Sequence, residues 1–206
     1  MIYGNIEGIR KSIIDELESI YSIKNLKDEV CDLEILNIIS RVSSFIEREV
    51  SVGINRKGSV TSVAIGDSTS VEVPIIDIEE KRLSGIRVIH THPNGYCNLS
   101  ALDLTALLKL KLDAIISVAI VDGKIIDFSL GMLTLYNNRL EFEEKKNLSL
   151  EEITSIHILD RIRFVENLIK INDVIEDTQE KAILVGSDTK ESLEELKELA
   201  EACDVP

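Results

Sequence analysis

Gly85-Ile-Arg-Val-Ile-His-Thr-His92, followed by Pro93, the loop Asn94-Gly-Tyr-Cys-Asn98 and the segment Ser100 to Leu112, reads as strand, turn and helix. Pro93 stops the strand because proline cannot donate to a ladder. Asn94 and Gly95 are turn formers, and Ser100 opens a helical run. Ala114 to Val121 comes next and is apolar on both faces, the mark of a strand buried on both sides. A strand, a helix and a second buried strand in that order predict an α/β fold, with a mixed central sheet flanked by helices.

The same stretch carries the candidate chemistry. His90 and His92 stand at i and i+2 on a strand, so both imidazoles point to one face and can reach one ion. Asp103, one turn inside the following helix, can be brought back towards them. Two nitrogens and one carboxylate oxygen suit Zn²⁺ and leave a fourth position open, as catalytic rather than structural zinc requires. Hydrolysis at such a site needs a carboxylate base that is not itself a ligand. Glu49 stands where a helix gives way to a strand and is expected on the face of Ser51 and Gly53. Glu47, the competitor, is expected on the last helical turn.

On the N-terminal side, Ile6, Ile9, Ile13, Leu17 and Ile20 predict a helix over 6–21, and Leu33, Leu36, Ile39, Val42, Phe45 and Ile46 another over 33–48. Val50, Val52 and Ile54 then alternate with polar or small residues, and Val60 to Ile65 returns after a turn at Gly58, predicting a hairpin. Val71 to Ile76 holds Pro74 and is expected as an edge or loop segment. On the C-terminal side, residues 125–135 predict a strand, Asn137-Asn138 a turn, and a short segment ends near Phe142. Ser149 with Glu152 fits a capping box, and a stripe from Ile153 to Ile175 predicts one helix of almost thirty residues. Lys181 to Gly186 and residues 190–202 read as a terminal strand and helix. The expected divisions are 1–147, a connecting helix over 148–178, and the opening of a further domain over 179–206, which makes the chain look like a fragment of a longer one.

The 206 residues carry 23 basic and 37 acidic side chains, a net charge of −14, with 44% hydrophobic residues. That is ample for a core, and the sign counts against direct binding of nucleic acid. The excess is concentrated in residues 141–206, which hold 8 basic and 18 acidic side chains, as long solvated helix faces would. No uninterrupted apolar run reaches membrane length and the start lacks a signal-peptide pattern. Cys31, Cys97 and Cys203 are too few and too scattered for a disulfide framework. A cytoplasmic protein without membrane contact is expected.

His-x-His-Pro, then Ser-x-x-Asp, with Arg48-Glu49-Val50 upstream, resembles the JAMM (MPN-type) metallopeptidase motif, which RadC-type proteins share. The resemblance implies a three-layer fold like that of the cytidine deaminases. It implies His90, His92 and Asp103 as zinc ligands, Glu49 as the acid–base group for the zinc-bound water, and Ser100 as stabiliser of the developing oxyanion. A second resemblance covers both ends of the chain. Gly4-Asn5, Gly8-Ile-Arg-Lys11, Ile89 to His92 and Leu99 to Thr105 resemble the N-terminal extension of HflX-type GTPases, and residues 181–202 resemble the opening of the domain that precedes their GTPase domain. That family comprises ribosome-associated proteins, so the ribosome is an implied partner through a full-length parent. GTP and Mg²⁺ would belong to a GTPase domain absent here: the Gly123-Lys124 pair and Gly186 to Lys190 both lack phosphate-loop spacing.

Plainer readings stand beside these. Ser100-x-x-Asp103 is also an ordinary helix cap. Cys97 reads as a loop cysteine without a base, and His157 as a packing residue inside the long helix. Three functions are therefore in play: the accessory region of an HflX-type GTPase carrying a JAMM-like domain, an active zinc hydrolase cleaving a peptide or isopeptide bond, and a metal-free interaction module.

Overall fold

A computed structural model describes residues 1–66 and 82–172. Seven strands form one mixed sheet: β1 (Tyr3–Gly4), β2 (Val50–Asn55), β3 (Val60–Ile65), β4 (Ile86–His92), β5 (Ala114–Val121), β6 (Lys124–Tyr136) and β7 (Arg139–Leu148). Their order is β1-β3-β2-β4-β5-β6-β7. The β1–β3 and β4–β5 pairs are parallel and the others antiparallel. The helices are α1 (Lys11–Ser19), α2 (Leu33–Ile46), α3 (Ala101–Lys109), α4 (Leu150–Thr154) and α5 (Ile158–Ile171). The expected α/β class, with a mixed sheet between helices, is what the chain adopts.

The parallel β4–β5 pair explains why the site forms where it does. A parallel partner can be reached only by a crossover, so the chain leaves β4 at Pro93, runs back through α3 and re-enters at Ala114. The N-terminus of α3 is thereby returned to the end of β4 that carries the histidines. Helix α2 packs against β2, β4, β5 and β6, while α3 packs against β5, β6 and β7. Ile35, Ile39 and Val42 of α2, Ile116 and Val118 of β5 and Phe128 of β6 are buried in the core. Around Gly131 of β6 the fit is close enough that Leu99, Ile115 and Leu107 occupy the space a side chain would take.

Two arginines, Arg87 buried and Arg56 half-buried, brace the strand ends. Arg87 donates its Nε to the carbonyl of Val30 at 2.8 Å and its terminal nitrogens to Asn55 and Leu26. Arg56 makes a two-pronged pair with Asp113 at 2.7 Å and a further bond to Glu166 of α5 at 2.8 Å. These contacts tie the β2–β3 turn and the head of β5 to α5.

Several elements differ from expectation. The first helix starts at Lys11 rather than near Ile6, because Gly8 adopts φ +76°, outside the right-handed helical region. The single helix expected from Ser149 is two, interrupted at Ser155 to His157. The Ser155 hydroxyl bonds back to the carbonyl of Glu152, and the N-terminus of α5 is capped from far away in sequence. The Asp28 carbonyl accepts from Ile158 N at 3.2 Å, and its carboxylate accepts from Leu159 N and meets His157 Nδ1, both at 2.9 Å. His157 is thus an exposed partner of Asp28 and not a packing residue. Strand β7 is ten residues long instead of ending near Phe142. Its charges, which hid it from an apolar pattern, suit an edge strand, where they discourage pairing with other chains. Val71 to Ile76 and the strand and helix expected after residue 179 lie outside the described residues.

Candidate metal centre

Backbone register assembles the site from three separate pieces of chain. In the β2–β4 ladder Ser51 is paired with His90, so Glu49, two residues before Ser51, is carried to the level of His92. A strand's alternation then sets His90 and His92 on one face and Thr91 on the other. The third piece is α3, whose capping box is complete. Ser100 Oγ accepts from Asp103 N at 3.1 Å, and the Ser100 N–H and hydroxyl both donate to Asp103 Oδ2 at 2.7 Å.

That box leaves Asp103 Oδ1 for another partner. It lies 3.6 Å from His90 Nε2, and the donor atoms of His90, His92 and Asp103 all lie within 4.8 Å of one another. Ligands at about 2.0–2.1 Å around a tetrahedral ion stand about 3.4 Å apart, so small adjustments close the cluster on a cation. The imidazole rings have centroids 4.8 Å apart at 36°, tilted rather than stacked.

The surroundings favour the ligating form of each ring. His90 is only 1% exposed, and burial lowers its pKa from 6.5 to about 4, against the opposing pull of Asp103. Burial lowers His92 as well, again with Asp103 pulling the other way. Both are neutral at pH 7, as metal binding requires. His90 Nε2 is buried without any hydrogen-bond partner. Such a nitrogen is costly to bury, and a cation between it and Asp103 Oδ1 would satisfy it. The donor set therefore fits a hard or borderline divalent ion with nitrogen and oxygen ligands.

Glu49 is 3% exposed, and its Oε1 lies 3.9 Å from His92 Nε2. Glu47 is instead the left-handed C-cap of α2, at φ 54°, with an exposed side chain. Of the two glutamates, Glu49 stands beside His92, while the Glu47 side chain is exposed at the end of α2. Ser100 is exposed, with its hydroxyl engaged in the capping box, so the cap and ligand readings of Ser100-x-x-Asp103 coexist on different oxygens of one carboxylate.

Cys97 lies outside the cluster. It is buried beneath the loop, where Ser129 Oγ donates to its sulfur at 3.7 Å and the Ser117 hydroxyl donates to its carbonyl. Ser117 is the ladder neighbour of His90, and Ser129 that of Ser117. A row of buried hydroxyls thus runs from the histidine strand under the loop that carries the site. Sequence reasoning missed this row, although polar residues inside otherwise apolar strands were its signal.

The chain matches no protein-family model, no curated protein and no solved structure. Among the described residues no helix is long and apolar enough to cross a membrane.

Proposed function

We propose that this chain carries a JAMM-like, zinc-dependent hydrolytic centre acting on a peptide or isopeptide bond. His90, His92 and Asp103 hold the ion and Glu49 is the acid–base group. The observation that carries the reading is His90 Nε2, buried without a hydrogen-bond partner and facing Asp103 Oδ1 at 3.6 Å, with a second carboxylate, that of Glu49, beside the same cluster. A closed structural zinc site would present four ligands. Among the described residues three donors converge, and the Glu49 carboxylate beside them supports an open, hydrolytic reading.

When bound, zinc supplies Lewis acidity towards a carbonyl and lowers the pKa of water. Glu49 takes a proton from the attacking water as its oxygen adds to the amide carbon, and returns it to the leaving nitrogen as the C–N bond breaks. Ser100 fixes Asp103 through the cap, and the oxyanion role that the JAMM resemblance implies for it requires its hydroxyl to turn from Asp103 Oδ2 to the substrate oxygen.

The wider setting we favour is the accessory region of an HflX-type, ribosome-associated GTPase. That part rests on the N-terminal segments and on residues 181–202, with GTP chemistry belonging to a domain outside this chain.

Elemental analysis and calorimetric titration with Zn²⁺ test the metal. One equivalent is expected, lost in His90→Ala, and no uptake would leave the metal-free interaction module. Incubation with isopeptide-linked and model peptides, comparing the protein with Glu49→Gln, tests turnover. Equal activity in the two proteins would remove Glu49 from the chemistry.

A further inference from the structure

Glu49 sits in the turn between α2 and β2, where a long side chain has several rotamers and the backbone has no ladder on both sides to hold it. The peptide groups on either side of it are nevertheless held by a ring of hydrogen bonds through two buried hydroxyls. The Val50 N–H, directly after Glu49, donates to Thr91 Oγ1 at 2.9 Å. The Thr91 hydroxyl donates to Ser43 Oγ at 2.7 Å, and the Ser43 hydroxyl donates to the carbonyl of Arg48, directly before Glu49, at 2.7 Å. Both Ser43 and Thr91 are 0% exposed. The backbone carbonyl of Ser43 also accepts from the N–H groups of Glu47 and Arg48, and the carbonyl of Glu49 itself accepts from Gly66 N at 2.9 Å.

Neither hydroxyl is required by the element that bears it. A valine would serve a buried position of β4 as well as Thr91 does, and serine is a poorer helix former than alanine in the last turns of α2. What the hydroxyls do supply is closure of the peptide groups on either side of one glutamate. Thr91 adds a second constraint by its place in sequence. It lies between His90 and His92, so alternation sends the two imidazoles to the metal face and the Thr91 hydroxyl to the α2 face.

We propose that Ser43 and Thr91 are positioning residues that hold Glu49 in register with the His90–His92–Asp103 cluster, so that the three-residue tip of β4 sets ligands and base together. This rests on the reading of Glu49 as the acid–base group. The hydroxyls do not touch substrate or ion; they act through the Arg48–Val50 backbone.

The test uses the full chain with Thr91→Val, Thr91→Ser, Ser43→Ala and, as reference, Glu49→Gln. Hydrogen exchange at the Val50 amide is read on metal-free protein, and the visible spectrum is read on protein loaded with Co²⁺. Thr91→Val should speed exchange at Val50 about tenfold while the amides of Ile89 and Ile116 stay protected. It should leave Zn²⁺ affinity within about threefold, since every ligand remains, and shift the cobalt spectrum towards that of Glu49→Gln; Thr91→Ser should restore both. Unchanged exchange at Val50, a rise shared by every amide of the sheet, or a cobalt spectrum identical to the parent's would each overturn the proposal. If the parent takes up no cobalt, the metal reading falls and the Val50 exchange alone decides the clamp. If Thr91→Val does not fold, Ser43→Ala is read by the same criteria.

Discussion

The carboxylate of Asp103 is shared between two tasks: Oδ2 closes the capping box with Ser100, and Oδ1 faces His90 Nε2 at 3.6 Å. The helix cap therefore aims Asp103 Oδ1 towards the histidine. Ser100→Ala removes the cap hydroxyl but keeps both metal-facing atoms, and should cost about 1 kcal/mol of stability. Asp103→Asn keeps a capping group and removes the anionic ligand. Its Zn²⁺ affinity should fall by at least about a hundredfold, against less than about tenfold for Ser100→Ala. Calorimetric titration of both variants distinguishes the two roles, and equal losses would show that Asp103 acts only as a cap.

Protonation of His90 sets a pH dependence on the metal-free protein. Burial holds its folded pKa at about 4, below the ordinary 6.5. The unfolded chain therefore takes up a proton first as pH falls. Stability is complete above 6.5 and declines as pH drops from there towards 4, and His92 contributes in the same direction. Urea unfolding at steps across that window should show falling midpoints. His90→Gln, which cannot titrate, should flatten much of the slope. A midpoint that stays level through the window would mean that the folded ring protonates as readily as the unfolded one.

Much of this was legible in the sequence because the site is local at its two ends. His90 and His92 share a strand face by alternation, and Ser100 to Asp103 is a helix start whatever else it does. The α2 helix and the β2–β3 hairpin follow from period and from the turn at Gly58, which adopts φ +83°. What was not legible depends on partners distant in the chain. The break at Ser155 to His157 is stabilised by Asp28, more than a hundred residues earlier. Strand β7 exists because β6 offers it a ladder, not because its own residues are apolar. The ring around Glu49 joins α2 to β4, and no spacing along the chain announces it.

Arg56 bridges two acids on different elements, Asp113 at the head of β5 and Glu166 on α5. Burial tends to raise the Glu166 carboxyl, but Arg56, the Leu83 N–H and Lys170 together hold it below its ordinary 4.5. Its stabilising contribution is present above 4.5 and is lost as pH falls below that value. Arg56→Met should cost about 3 kcal/mol, because it leaves two carboxylates facing each other in a poorly solvated place. Glu166→Gln, which leaves the pair with Asp113 intact, should cost about 1 kcal/mol. Chemical denaturation at pH 7 checks the order, and equal costs for the two variants would show that Asp113 needs no cation.

Gly131 of β6 links packing under the loop to the candidate metal centre. A Cβ there would stand 2.8 Å from Leu99 Cδ1, 3.0 Å from Ile115 Cγ2 and 3.2 Å from Leu107 Cδ2. Leu99 directly precedes Ser100, and Leu107 lies two turns further along α3. Gly131→Ala must therefore push the start of α3 away from the sheet or force those side chains off their rotamers, at about 1–3 kcal/mol. Displacing the start of α3 moves Asp103 with it, while His90 and His92 stay on the β4 ladder. The variant should lose Zn²⁺ affinity by about tenfold or more although it alters no ligand. Leu99→Ala in the Gly131→Ala background relieves the shortest contact and should recover part of that affinity. The comparison by calorimetric titration separates a displaced ligand from simple loss of stability, since a double variant that stays as weak as Gly131→Ala would assign the loss to the sheet rather than to the position of Asp103.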